Sequence, residues 1–365
     1  MDDRFLALSR IAFRRLHGLD VESVSSDDTI SSELFFLARR NRVAGLWADA
    51  FSPDEDSALH RQAYGQAMHS ARFAAEAERI FSALNCSVKN LRLVKGPALS
   101  AQAWPRPGLR SFDDLDFRCE KNDLPVLLTG LRNLGYEVES PERFRTENLW
   151  HFGWGISFRN ADGVLLEFNH RMFPPHYPWP LRYSEDLWFP LMLDQTAVAC
   201  PVPALHLLIS CVHAVWHGWE RLGWLADIAG LLTRHHEIFA GAARLAGNNR
   251  FLSGALRCGC AVADRIFGPL PGMIPVETVS SNQIDQVIDL ILRDEPAVPA
   301  HIQREIHQKF MSPFQSALYT VRRFAIPGDP DFKRWPLPGP LCGLYWPLRP
   351  MRYLSERLCD GSEPF

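Results

Sequence analysis

Residues 92–119 read RLVKGPALSAQAWPRPGLRSFDDLDFRC, and the fold turns on how this stretch is laid out. With Leu91 in front, LRLV forms a short apolar strand. PALSAQAW starts a helix, because Pro97 suits a first turn that needs no N–H donor. DLDF (114–117) alternates acidic and apolar, as a half-buried strand does. Side chains two apart on a strand share a face. Asp114 and Asp116 therefore point to one side, Leu115 and Phe117 to the other, and Asp113 away from Asp114. Two carboxylates held side by side repel, and a bound divalent cation turns that repulsion into a site.

Working outward, NDLPVLLTGLRNLG (122–135) puts Leu124, Leu127, Leu128, Leu131 and Leu134 on one helical stripe, with Gly135 at the stop. YEVES, WGISFRN and VLLEFNH follow as strands, the last two joined by NADG, a hairpin turn. Residues 86–172 thus predict strand, helix, strand, helix and three more strands, a small mixed sheet in an α+β chain. FPPHYPWPLRY (173–183) is too rich in proline for either element and reads as a wrapping loop. DRFLALSRIAFRRL and ARFAAEAERIFSAL repeat apolar residues at helical spacing, as does the stretch from about 202 to 268. The expected organisation is a helical region over 1–85, an α/β core over 86–190 and a helical domain over 191–300. A helix (PFQSALYTVRRFA) and a tail rich in proline and aromatic residues occupy 301–365.

The 365 residues suffice for two or three domains with real cores. A net charge of −3 and the lack of a Lys/Arg run argue against duplex nucleic acid as a partner. The eight cysteines show no paired metal spacing apart from Cys258-Gly-Cys260. MDDRFLALSRIAFRRL is acidic and then amphipathic, unlike a signal peptide, and no apolar run is long enough to span a membrane. A reducing cytoplasm is the expected setting.

A third acid, Glu167, ends the apolar run of VLLEFNH. Two acids on one strand and one on a neighbour can hold two Mg²⁺ ions, with Mn²⁺ as the substitute, around a phosphoryl group in transfer. One carboxylate can also act as base toward an incoming hydroxyl. The turn Lys95-Gly96 offers N–H groups and a cation to phosphate oxygens. LVKGPALSAQAWPRPGLRSFDDLDF resembles the family 5 nucleotidyltransferases of the polymerase-β-type superfamily: apolar strand, Lys-Gly, a small-residue helix, Arg, then an Asp-x-Asp strand. LLEFNHRMF is similar to the family's later acidic strand, although Asn169 and His170 stand where His then Trp is usual. HAVWHGWERLGWLADIAGLL is similar to its helix bearing His, Trp and Asp. The resemblance implies a polymerase-β-like core and transfer of a nucleotidyl group from a nucleoside triphosphate, such as ATP, to an acceptor hydroxyl or phosphate, with release of pyrophosphate. It further implies Asp114, Asp116 and Glu167 as metal ligands, and Lys95, Gly96 and Arg110 facing the phosphates. The acceptor is left open among a metabolite, a carbohydrate, a peptide and a protein.

Around residue 215, His213, His217, Arg221, Trp224 and Asp227 recur at helical spacing on one face of a single expected helix. Leu208, Val212, Val215, Leu222 and Leu225 take the core side. The polar face either contacts nucleotide or acceptor across a cleft, or packs between domains with Asp227 paired to Arg221 or to backbone. His151, beside an aromatic strand, reads as structural. Two rival functions stand: a non-catalytic scaffold recognising a nucleotide or sugar phosphate, and a two-metal transferase of another phosphorylated group. Three converging anions favour catalysis, since a scaffold has no need of them.

Overall fold

A computed structural model gives the structure over residues 2–21, 30–51, 58–139, 143–235, 237–271, 279–293 and 298–360. Four helices come first: α1 (Asp2–Leu16), α2 (Ser32–Arg40), α3 (Ala44–Phe51) and α4 (Ala58–Leu84). The α/β segment runs β1 (Arg92–Leu93), α5 (Pro97–Ala103), β2 (Asp114–Arg118), α6 (Leu124–Asn133), β3 (Tyr136–Val138), α7 (Arg143–Phe152), β4 (Gly155–Asn160) and β5 (Leu165–Asn169). The five strands make one mixed sheet in the order β1-β2-β5-β4-β3. Among the described residues, only β2 and β5 pair in parallel.

Register follows from burial. Leu115 and Phe117 on β2 face Leu166 and Phe168 on β5, all four wholly buried, and the Phe117 and Phe168 rings stack at 5.0 Å. A one-residue slip would turn these four side chains out of the core, so the pairing is tightly specified. Helix α4 covers this face with Phe73, Ala77, Ile80, Phe81 and Leu84, one stripe at helical spacing.

Two departures from the sequence reading stand out in this region. Residues 143–152, assigned to no element between two strands expected in succession, form the helix α7; the segment holds no glycine or proline and its apolar residues do not alternate. His151 lies exposed on that helix, edge-on to Phe152. Residues 188–201, which run from the expected core into the expected helical domain and were assigned no strand, form the hairpin β6 (Trp188–Leu193) and β7 (Thr196–Pro201), turning at Asp194 with φ 46°. Leu193, Val198 and Cys200 of the hairpin join the core beneath the sheet.

The remaining chain is helical: α8 (Pro203–Trp216), α9 (Leu222–Arg234), α10 (Ile238–Ala246), α11 (Arg250–Phe267), α12 (Ser281–Leu292), α13 (Ala300–Lys309), α14 (Pro313–Ala325), α15 (Asp329–Arg334) and α16 (Tyr345–Asp360). The single helix expected around residue 215 is thus two. Gly218 and Trp219 both take positive φ, 66° and 62°, and a right-handed helix cannot run through them. The apolar positions assigned to the core (Leu208, Val212, Val215, Leu222, Leu225) are all buried. They share one large core with α1–α3 and α10–α13. The tail rich in proline and aromatic residues ends in the helix α16, which packs on α14 and α15. No described helix is long and apolar enough to cross a membrane.

Candidate functional site

The acids stand where β2 and β5 run side by side. The alternation that buries Leu115 and Phe117 turns Asp114 and Asp116 to the opposite face of the sheet. Asp116 is paired in register with Glu167, and Glu167 with Ser157 of β4, so Glu167 shares the face of both aspartates. The chain enters beside them through Val94, whose N–H donates to the Asp116 carbonyl at 2.8 Å. Gly96 turns the backbone with φ 57°, and a Cβ there would meet Leu115 and the Asp114 carbonyl oxygen at 3.4 Å. Lys95 is thereby aimed along the acid face, with Nζ 3.6 Å from Asp116 Oδ2. That ammonium also lies 3.2 Å from His213 Nδ1 on α8. A lysine only donates, so the ring nitrogen accepts.

His213, His217, Arg221 and Trp224 meet in one corner even though the helix between them is broken. The rings of His213 and His217 lie 4.5 Å apart, and each is about 5 Å from Trp224. Burial, then the Lys95 charge, holds His213 well below the ordinary imidazole range and brings His217 down to about 3, so both are neutral near pH 7. These groups close a polar cavity of about 140 Å³, walled also by Lys95, Gly96, Arg110, Asp114 and Asp116. Glu167 stands next to Asp116, outside that wall. The volume suits phosphate groups and is too small for a whole nucleotide. A larger cavity of about 480 Å³ lies between α4 and α5, walled mainly by Ala67, Ala71, Ala74 and Ala101; it offers no cation to a phosphate.

Arg110, expected to face phosphate, is engaged first with the fold. Its guanidinium makes a two-pronged pair with Asp227 of α9 at 2.7 and 2.9 Å, and the Trp104 indole donates to the same carboxylate at 2.7 Å. Both charged residues are buried, and Nη1 of Arg110 has no hydrogen-bond partner among the described residues. Asp227 thus pairs with Arg110, not with Arg221. Asp113 lies in the bend just before β2 and pairs with Arg42.

Burial and mutual repulsion raise two acids of the cluster. Burial first, then repulsion from Asp116 and Asp114, pushes Glu167 up to about 8; burial and Asp116 push Asp114 up to about 6, against Lys95 and Arg42. Among the described residues no three His, Cys, Asp or Glu side chains are arranged to hold a metal ion as they stand. The donor chemistry still fits a hard divalent cation: oxygen ligands on one face, destabilised by their own charge.

Two contributors had escaped the sequence reading. His206, two turns before His213, is wholly buried; it bonds Gln102 at 2.9 Å and the Val94 carbonyl, fixing the strand end from which Lys95 projects. Its seven-residue spacing from His213 was the available signal. Arg42, from the turn between α2 and α3, lines the cavity with no local pattern to mark it.

Compared with known protein families, the chain matches the uncharacterised nucleotidyltransferase family over residues 31–268, about two thirds of its length. The chain belongs to that family. The match starts just before α2 and ends just after α11, so the nucleotidyltransferase unit includes the helices on both sides of the sheet. No curated protein and no solved structure matches the chain. Membership suggests a transferase and implies a nucleotide substrate.

Proposed function

We propose that the protein is a metal-dependent nucleotidyltransferase on a polymerase-β-like core. It moves a nucleotidyl group from a nucleoside triphosphate to an acceptor hydroxyl or phosphate and releases pyrophosphate. The observation that carries this reading is the in-register pairing of Asp116 with Glu167, which gathers three acids on the face that Lys95 also reaches. Asp114, Asp116 and Glu167 would hold Mg²⁺, or Mn²⁺ in its place, and the bound ions would neutralise charge on the phosphoryl group in transfer.

The chain's own groups supply the rest. Lys95 and Arg221 meet the phosphates as cations, and Gly96 lets the backbone come close without a Cβ in the way. Arg110, anchored by Asp227, adds its charge to the wall. Neutral His213 and His217 contribute hydrogen bonds without repelling Lys95, and Trp224 offers a flat face. Transfer forms a bond from the acceptor oxygen to the α-phosphorus and breaks the one to pyrophosphate. The acceptor's proton passes to a carboxylate of the cluster, Glu167, which takes it in its ionised form.

A thermal-shift panel of nucleoside triphosphates, with and without Mg²⁺, tests the reading, because a ligand bound only by the native state raises the melting temperature. Stabilisation should require Mg²⁺ and vanish in Asp116→Asn, and pyrophosphate release should stop with it. A D116N protein that responds as the wild type does would overturn the proposal.

A further inference from the structure

The turn between α2 and α3 carries an arginine where a helix ending ordinarily places glycine. We propose that Arg42 is a phosphate-binding residue of the site, held in reserve by Asp113 and exchanged onto the polyphosphate of the nucleotide when it binds. The proposal rests on the reading of the cavity as a nucleotidyl-transfer site.

The backbone supplies the first observation. Arg42 follows the helix-ending Asn41 with φ 59°, closed by Val43 N–H to the Ala38 carbonyl at 2.8 Å. This left-handed position disfavours any residue with a Cβ, and glycine or asparagine normally fills it. A strained arginine at a cavity wall is the pattern expected where the side chain has work there.

The turn is also locked to the site. Arg221, before α9, gives that helix no side-chain cap. Asn41 supplies one instead: its Oδ1 accepts from Leu222 N–H at 3.0 Å and its carbonyl from Gly223 N–H at 2.8 Å. A Cβ on Gly223 would stand 3.1 Å from both the Arg42 Cβ and the Asn41 carbonyl oxygen, so the close approach depends on glycine. Arg42 and Arg221 are therefore held at a set spacing by one buried asparagine.

Charge completes the case. Arg42, Arg110, Arg221 and Lys95 all wall one cavity of about 140 Å³, a size for phosphates. After burial, the Arg221 charge is the main influence against the charged form of Arg42, and Asp113 and Asp114 support it. Asp113 is the exposed member of its pair, 68% against 24% for Arg42. An ion pair with so solvated a partner is weakly held. A phosphate offers the guanidinium fork two parallel bonds. Exchange leaves Asp113 in water, where it already mostly lies.

The test is calorimetric titration of the full chain with inorganic tripolyphosphate in EDTA, for wild type, R42G, R42K, D113N and D113N/R42G. R42G removes the guanidinium and the backbone strain together, so it should melt no lower than wild type while binding tripolyphosphate about ten- to a hundredfold more weakly. R42K keeps the charge but not the fork, and should lose affinity too should R42G prove poorly folded. D113N should bind about threefold tighter or better, and that gain should disappear in D113N/R42G, since the two residues act as one pair. R42G and R42K binding as wild type does, or a D113N gain that survives without Arg42, overturns the inference while the site reading stands. A wild type that binds neither tripolyphosphate nor any nucleotide overturns both.

Discussion

Replacing Glu167 with Gln should stabilise the metal-free protein, and by an amount that depends on pH in a defined sense. Folding raises the Glu167 carboxyl from 4.5 to about 8, first by burial and then by the charges of Asp116 and Asp114. A raised acid is harmless to stability below the unfolded value, because both states then hold the proton. Between 4.5 and about 8 the unfolded chain ionises while the folded one does not, and stability falls by up to ~1.4 kcal/mol per pH unit. Above about 8 the loss is complete and stays constant. The full span amounts to about 4 to 5 kcal/mol. Asp114, itself raised to about 6 in the same cluster, shares the titration, so about 2 to 3 kcal/mol is expected to be recovered by removing one charge. Gln keeps the volume and the hydrogen bond to the Asn169 side chain. Urea titrations in EDTA at pH 4.5 and pH 8.5 measure the effect. The variant should match wild type at the lower pH and exceed it at the higher. An E167Q protein less stable than wild type at pH 8.5, by an amount indifferent to pH, would refute the charge-cluster account and make Glu167 an ordinary structural acid.

Other outcomes follow from packing and pairing. Asp227→Asn leaves the buried Arg110 guanidinium without its counter-ion and should cost about 3 to 5 kcal/mol in urea; a loss under about 1 kcal/mol would show that the pair does not hold α9 in place. Gly230→Ala puts a Cβ 2.2 Å from the Ala103 carbonyl oxygen, so α9 must lift from α5. A destabilisation of about 2 to 4 kcal/mol is expected, and a neutral G230A would mean that the two helices are not in this contact.

Much of the acid strand was legible because strand parity is local. In DLDF, the two aspartates share a face whatever the rest of the chain does, and Leu115 and Phe117 must face the core. The helical stripes of α4 and α6, the Lys-Gly turn and the NADG hairpin are equally short-range, each set by φ/ψ preference or by side-chain period. What the tertiary structure decided depends on residues far apart. The partner strand of β2 places Glu167 beside Asp116, a pairing set by burying Leu166 and Phe168 against Leu115 and Phe117. Arg110 binds Asp227 across the helix packing of α5 on α9, because a buried guanidinium needs the nearest buried carboxylate. The break at Gly218 and Trp219 overrode an unbroken helical pattern, yet folding brought His213, His217, Arg221 and Trp224 back to one corner. Arg42 reaches that corner from the amino-terminal helices on a turn anchored by Asn41. No period in the sequence encodes such a contact, since it is fixed by two backbone N–H groups at the start of α9 that had to find an acceptor.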